Sequence, residues 1–165
     1  MNYGGNLGAG LIASSLFIAF MVTGCASLRT AELHADNSQE WVQIEHRLHE
    51  VFLAAEKKDF SQLDGYHLYG PKFTKFTGSS SERLDAAAGR KGEHDGLGRI
   101  NNLKMRADAL KINVFGNVGI ATFILDYSFE AGSETFHRQE RSTLVFVKES
   151  GSWKIVHEHL SPISP

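Results

Sequence analysis

Ala121-Thr122-Phe123-Ile124-Leu125-Asp126-Tyr127-Ser128-Phe129 alternates with period two. In extended backbone, successive side chains point to opposite sides. Ala121, Phe123, Leu125, Tyr127 and Phe129 therefore share one face, and Thr122, Ile124, Asp126 and Ser128 the other. A face this apolar must be covered. The cover lies upstream, where Trp41, Ile44, Leu48, Val51, Phe52 and Ala55 recur at helical spacing. Asn37 or Ser38 is a suitable N-cap, with Gln39 and Glu40 in the first turn. Lys57 and Lys58 close the helix where its dipole favours cations.

Three more strands surround the quoted one. Met105–Phe115 precedes it across a Gly116-Asn117 hairpin signal, and Val118–Glu130 is the full extent of the alternating strand. Thr135–Lys148 and Trp153–Ser161 follow, separated by polar turns. Between the first helix and these strands, residues 59–63 read as a short helical turn and 65–71 as a bend. Phe73 to Thr77 is a short strand, and Glu82 to Ala88 is helical. Gly89 to Gly98 carries four glycines and reads as weakly ordered. Helices first and an antiparallel meander after them define an α+β fold in one domain.

Composition narrows the classes. In 165 residues, 22% are charged and 42% hydrophobic, which excludes disordered, collagen-like and polytopic membrane chains. A net charge of −2 shows no basic excess, so no nucleic-acid partner is expected. The single cysteine allows no internal disulfide. No phosphate-binding glycine loop, nucleophile elbow or Cys–His pair is present, so no cofactor is expected.

The first charged residue is Arg29. Leu7 to Val22 is mostly apolar, and its 16 residues fall short of the ~20 that span a bilayer. They have the length and position of a signal-peptide core. Val22-Thr23-Gly24-Cys25 resembles the bacterial lipobox. That resemblance implies a lipoprotein signal peptide at 1–24, lipidation of Cys25, a tether over 25–37 and a domain over 38–165. It places the protein at a membrane of the bacterial cell envelope, inner or outer, held by its lipid anchor. Met1–Asn6 departs from the pattern in having no Lys or Arg. The alternative is an apolar N-terminal helix with an incidental cysteine.

The long first helix, Lys58-Asp59-Phe60, Gly70-Pro71-Lys72-Phe73-Thr74, the four long strands and the closing Trp153-Lys154-Ile155-Val156-His157-Glu158-His159-Leu160-Ser161 resemble the SnoaL-like proteins of the nuclear transport factor 2-like superfamily. The resemblance covers about Gln39 to Ser161. The chain is also similar to the association domain of the calcium/calmodulin-dependent kinase. It implies a cone: a curved antiparallel sheet of four long strands plus a short one, wrapped around N-terminal helices. A cavity would lie at the open end, and homodimers commonly form through the outer sheet face. Members include isomerases, cyclases, dehydratases and proteins that only bind or assemble, so the fold assigns no function.

Within that cone, strict alternation puts Glu158 beside Val156 and Leu160. If this face lines the cavity, desolvation raises the Glu158 pKa. Such a carboxylate can abstract a proton next to a carbonyl while Tyr127 or Tyr66 holds the enolate oxygen, the ketosteroid isomerase pattern. The rival reading is a cross-strand ion pair of Glu158 with Arg141 or Arg138. His67 is a further catalytic candidate, at the cavity mouth. Tyr66, Phe123, Leu125, Phe129 and Leu160 are candidate ligand-wall residues. Arg141, which shares a face with Thr143, is either a carboxylate-binding group or a solvated edge residue.

His157 and His159 alternate with Glu158 and, on unbroken alternation, share a side with Trp153 and Ile155. They are assigned to the dimer face. A zinc site would need further ligands; His137 and Glu134 stand at no motif spacing, so no metal is expected. Asp126, His46 and His49 read as surface residues. The expected function is binding of a small, mainly apolar or carboxylate-bearing molecule, with catalysis left undecided. The alternatives are an isomerase or dehydratase using Glu158 as base, and an assembly module.

Overall fold

The computed structural model describes residues 38–78 and 80–163. Cys25, the signal-peptide segment and the tether lie outside the described residues. The elements run α1 (Ser38–Lys57), α2 (Phe60–Tyr66), β1 (Thr74–Phe76), α3 (Ala86–Gly98), β2 (Asn101–Phe115), β3 (Val118–Ala131), β4 (Glu134–Glu149) and β5 (Ser152–Pro162). The sheet order is β1-β5-β4-β3-β2, and the sheet is open. The four long strands pair antiparallel. The short β1 runs parallel to β5, with Lys75 opposite Glu158, so the sheet is mixed rather than wholly antiparallel. The architecture is α+β, a curved sheet with the N-terminal helices packed against it.

The first helix covers the sheet as its stripe requires: Ile44, Leu48, Val51, Phe52 and Ala55 are buried. Phe52 meets Phe123 edge to face, with centroids 6.0 Å apart. Trp41, at the end of the stripe, is 36% exposed. The helix lies directly on the β3 backbone: a Cβ at Gly119 would stand 2.3 Å from Ile44 Cδ1. Any side chain at this position would force the Ile44 side chain to move. The N-terminal turn is fastened by Glu40, whose carboxylate accepts from Lys148 Nζ at 2.8 Å and from Trp153 Nε1 at 3.1 Å.

The glycine-rich segment is a correction. The helix spans residues 86–98, so 89–98 is helical rather than weakly ordered, while residues 82–85, expected in a helix, lie outside it. Glycine lowers helix propensity, but tertiary contacts offset it. Asp85 caps the helix through Ala88 N at 2.9 Å. Tyr69 Oη donates to Glu93 Oε2 at 2.9 Å. Asp64 takes Arg90 at 2.5 Å and His94 at 2.8 Å, and the His94 ring stacks on Phe60. At Gly89 a Cβ would come 3.0 Å from Phe73 Cε1, so the missing side chain lets the helix close on β1.

Three irregularities shape the sheet. In β2 the register shifts between Asn101 and Lys104, with Asn102 at φ 50°, and again between Asp108 and Lys111, with Ala109 at φ 53°. In β5 it shifts at Val156: Val145 faces His157, while Phe146 faces Ile155. Each inserts an extra residue, which bends the strand. The β5 shift also changes which side chains point inward, and the site depends on it.

Candidate functional site

Beyond Phe123 the inner face of β3 is no longer covered by α1, whose helix ends at Lys57. A cavity of about 1220 Å³ opens there. Its walls include Leu97, Met105, Leu125, Tyr127, Phe129 and Leu160. Polar groups stand at both ends. His137, Arg138, Gln139 and Glu140 belong to the β4 side, where Tyr127 Oη donates to Glu140 Oε1 at 3.1 Å. Lys75 and Glu93 line the other end, on β1 and α3.

Behind Lys75 lies a buried charge network. Glu158 is 4% exposed. Its Oε1 is 2.5 Å from His67 Nε2, and its Oε2 is 2.6 Å from Lys75 Nζ. Lys75 Nζ is also 3.6 Å from Glu93 Oε1. His67 Nδ1 lies 2.8 Å from the Leu63 carbonyl oxygen. A carbonyl only accepts, so Nδ1 carries a proton, and the contact at Nε2 is a charge-assisted bond to Glu158. The imidazole stacks on Tyr69 with centroids 4.9 Å apart.

Burial alone pushes the Glu158 carboxyl up; the Lys75 ammonium and the His67 bond outweigh it and hold the group down at about 2. This reverses the expected upward shift, because the burial brought two cationic partners with it. Burial likewise opposes the charged form of His67, but the Glu158 carboxylate raises its pKa overall. Lys75 is raised against its own desolvation by Glu158 and Glu93. His67, Glu93 and Glu158 offer donor atoms within 4.8 Å of one another, the makings of a cation site. The Lys75 ammonium already bridges its two carboxylates, so the cluster carries its own cation.

Of the sequence candidates, Glu158 and His67 are brought together. Tyr127 is not part of their cluster. Glu158 is level with Leu144 and, through it, with Ala121; Tyr127 stands six residues further along β3, roughly 20 Å at strand spacing. His67 is 6% exposed and lies in the interior, not at the mouth. Leu125, Phe129 and Leu160 line the cavity. Phe123 is 5% exposed and belongs to the core beneath α1. Tyr66 stacks under the Arg47 guanidinium and bonds to Gln62, away from the cavity.

Arg141 is exposed and pairs in register with Ile124 and Ser161, with its guanidinium on the Pro162 carbonyl. Neither it nor Arg138 is the partner of Glu158. The Val156 bulge overturns one side assignment. Trp153, Ile155, Glu158 and Leu160 share the inner face, while His157 and His159 lie outward with Phe76, at 6.3 and 5.9 Å between ring centroids. His157 Nδ1 meets Thr74 Oγ1 at 2.7 Å.

Sequence reasoning missed Lys75, Tyr69 and Glu93. A signal for Lys75 was present: in Phe73-Thr74-Lys75-Phe76 it alternates onto the side of Phe73. Glu93 was hidden because its segment was not read as a helix. As a helix, Gly89, Gly92, Glu93, Gly96 and Leu97 form one face, and that face lines the cavity.

A curved open sheet, helices on its inner side and a cavity at its uncovered end make up a cone-shaped α+β domain. The family model for the SnoaL-like domain matches residues 44–165, and the chain belongs to that family. The fold is similar to that of a proposed dehydratase of the nuclear transport factor 2-like family from Streptomyces avermitilis: 15% identity, TM-score 0.72, with 79% of this chain and 100% of that one covered. A nuclear transport factor 2-like superfamily protein from Salmonella enterica serovar Typhimurium matches at 20% identity and TM-score 0.71, covering 79% and 95%. A proposed calcium/calmodulin-dependent kinase II association domain from Exiguobacterium sibiricum matches at 17% and 0.65, covering 79% and 98%. No curated protein matches the chain at a significant level. At these identities the likeness shows the fold.

Proposed function

We propose that this protein is a lipid-anchored SnoaL-like domain of the bacterial cell envelope that holds a small, mainly apolar ligand. The observation that carries the reading is the cavity of about 1220 Å³ with its aliphatic and aromatic wall. Apolar walls with a few convergent polar groups are the usual make-up of a ligand site. The anchor fits the geometry. The described chain begins at Ser38, and α1, with 20 residues, carries it roughly 30 Å to the cavity end. Ser38 therefore lies at the end of α1 away from the cavity.

Binding is favoured over an isomerase or dehydratase that uses Glu158 as base. Glu158 is absent from the cavity lining, and both its oxygens are engaged. A carboxylate held near 2 is also a weak acceptor for a carbon-bound proton. A second reading, a homodimerising assembly module, is favoured by the outer face, where Phe76 is 38% exposed beside His157 and His159. Light scattering separates it from a monomer.

The binding reading is tested with a neutral fluorescent probe, N-phenyl-1-naphthylamine. Saturable one-site binding is expected, and Leu97→Trp, which narrows the cavity from α3, should weaken it. Non-saturable or absent binding to the unmodified protein would sink the reading.

A further inference from the structure

The charge network is nearly closed on itself, and where it is open it faces the cavity. Glu158 Oε1 is taken by His67 and Oε2 by Lys75. His67 Nδ1 is taken by Leu63, and Glu93 Oε2 by Tyr69. Two things remain. Lys75 has three N–H donors, and Glu158 uses one at 2.6 Å. Glu93 Oε1 stands 3.6 Å from Lys75 Nζ, beyond hydrogen-bond length. Both side chains line the cavity, with side-chain exposures of only 7% and 17%. This end of the chamber thus presents spare N–H donors beside a spare acceptor.

We propose that Lys75 Nζ and Glu93 Oε1 form the recognition point for an alcohol. The hydroxyl of the ligand inserts between them, accepts from Lys75 and donates to Glu93, and its hydrocarbon body lies along Leu97, Leu125 and Phe129. This rests on the cavity-binding reading above and deepens it. An oxygen at ordinary hydrogen-bond length from both atoms fits a 3.6 Å gap. The same geometry selects against other end groups. A ketone or ether satisfies Lys75 and leaves Glu93 Oε1 without a donor, the costly outcome for a buried polar atom. A carboxylate faces Glu93 directly, with Glu158 close behind. An ammonium would sit against Lys75. The expectation that the ligand could equally be a carboxylate is thereby narrowed to a hydroxyl-bearing molecule.

The test displaces N-phenyl-1-naphthylamine from the full chain with decanol, decyl methyl ether and decanoate at neutral pH. Decanol should bind tighter than either by about tenfold or more, the factor expected for one unsatisfied buried acceptor. Glu93→Gln, whose amide can donate to a carboxylate and no longer repels it, should move the preference toward decanoate. Decanoate or the ether matching decanol in the unmodified protein would overturn the assignment while leaving the cavity reading intact. An unchanged decanol-to-decanoate ratio in Glu93→Gln would do the same. Absence of probe binding would remove the cavity reading, and this inference with it.

Discussion

Lys75 carries the most consequential charge in the domain. Its ammonium touches one fully buried carboxylate and faces a second. Removing one partner from a buried ion cluster costs far more than the cluster contributes relative to an apolar replacement, because the remaining charges lose their compensation. Lys75→Met should destabilise the protein by about 3–5 kcal/mol in urea unfolding; a loss within experimental error would show that the cluster is not charged.

His67 sets the pH response. Its folded pKa lies above the ordinary 6.5, through the Glu158 carboxylate and against the effect of burial. Its contribution is therefore complete below pH 6.5 and is lost as pH rises through the folded value. Glu158 acts in the opposite sense: held at about 2, it contributes fully above 4.5 and loses that contribution as pH falls toward 2. The melting temperature should decline from pH 6.5 upward. His67→Gln, whose amide can still donate to Glu158 but does not titrate, should flatten that limb. A variant curve parallel to the parent's would refute the assignment.

At the level of elements, α3 shows how local propensity and tertiary contact divide the work. Its glycines weaken the helix, and only Gly89 is needed for close packing; Gly92 and Gly96 have nothing within 4 Å of an added Cβ. Gly92→Ala should therefore stabilise the protein by about 0.5–1 kcal/mol, read as a rise in melting temperature. A fall would mean that the helix does not form as described. The Val156 bulge in β5 is the second decisive element feature. Without it, residues that share a side with Trp153 and Ile155 would include His157 and His159, and Glu158 would point away from Lys75. A one-residue shift turns every later side chain to the other face.

For the whole molecule, the cavity and the point of chain entry lie at opposite ends of α1. Cys25→Ser should move the protein from the membrane fraction to the soluble fraction, since acylation at that residue is the proposed anchor; continued sedimentation with membranes would reject it. Among the described residues no helix is long and apolar enough to cross a membrane.

The sequence by itself determined the elements whose pattern is local: the amphipathic α1, the alternating β3, the hairpin turns and the α+β order of the chain. Periodicity records which face is apolar, and an apolar face demands a cover. It also placed Glu158 among inward-facing candidates, though by an alternation that the bulge breaks. Only the tertiary structure decided the rest. It showed that α1 covers β3 as far as Phe123 and leaves Leu125, Tyr127 and Phe129 to wall a cavity. It turned a glycine-rich stretch into a helix by fastening it through Glu93, His94 and Arg90. It also joined His67, Lys75, Glu93 and Glu158, drawn from four separate parts of the chain, into one network. Ion pairs between residues 18 to 91 positions apart leave no periodic trace, and a single extra residue in a strand looks like any other until its partner strand is in place.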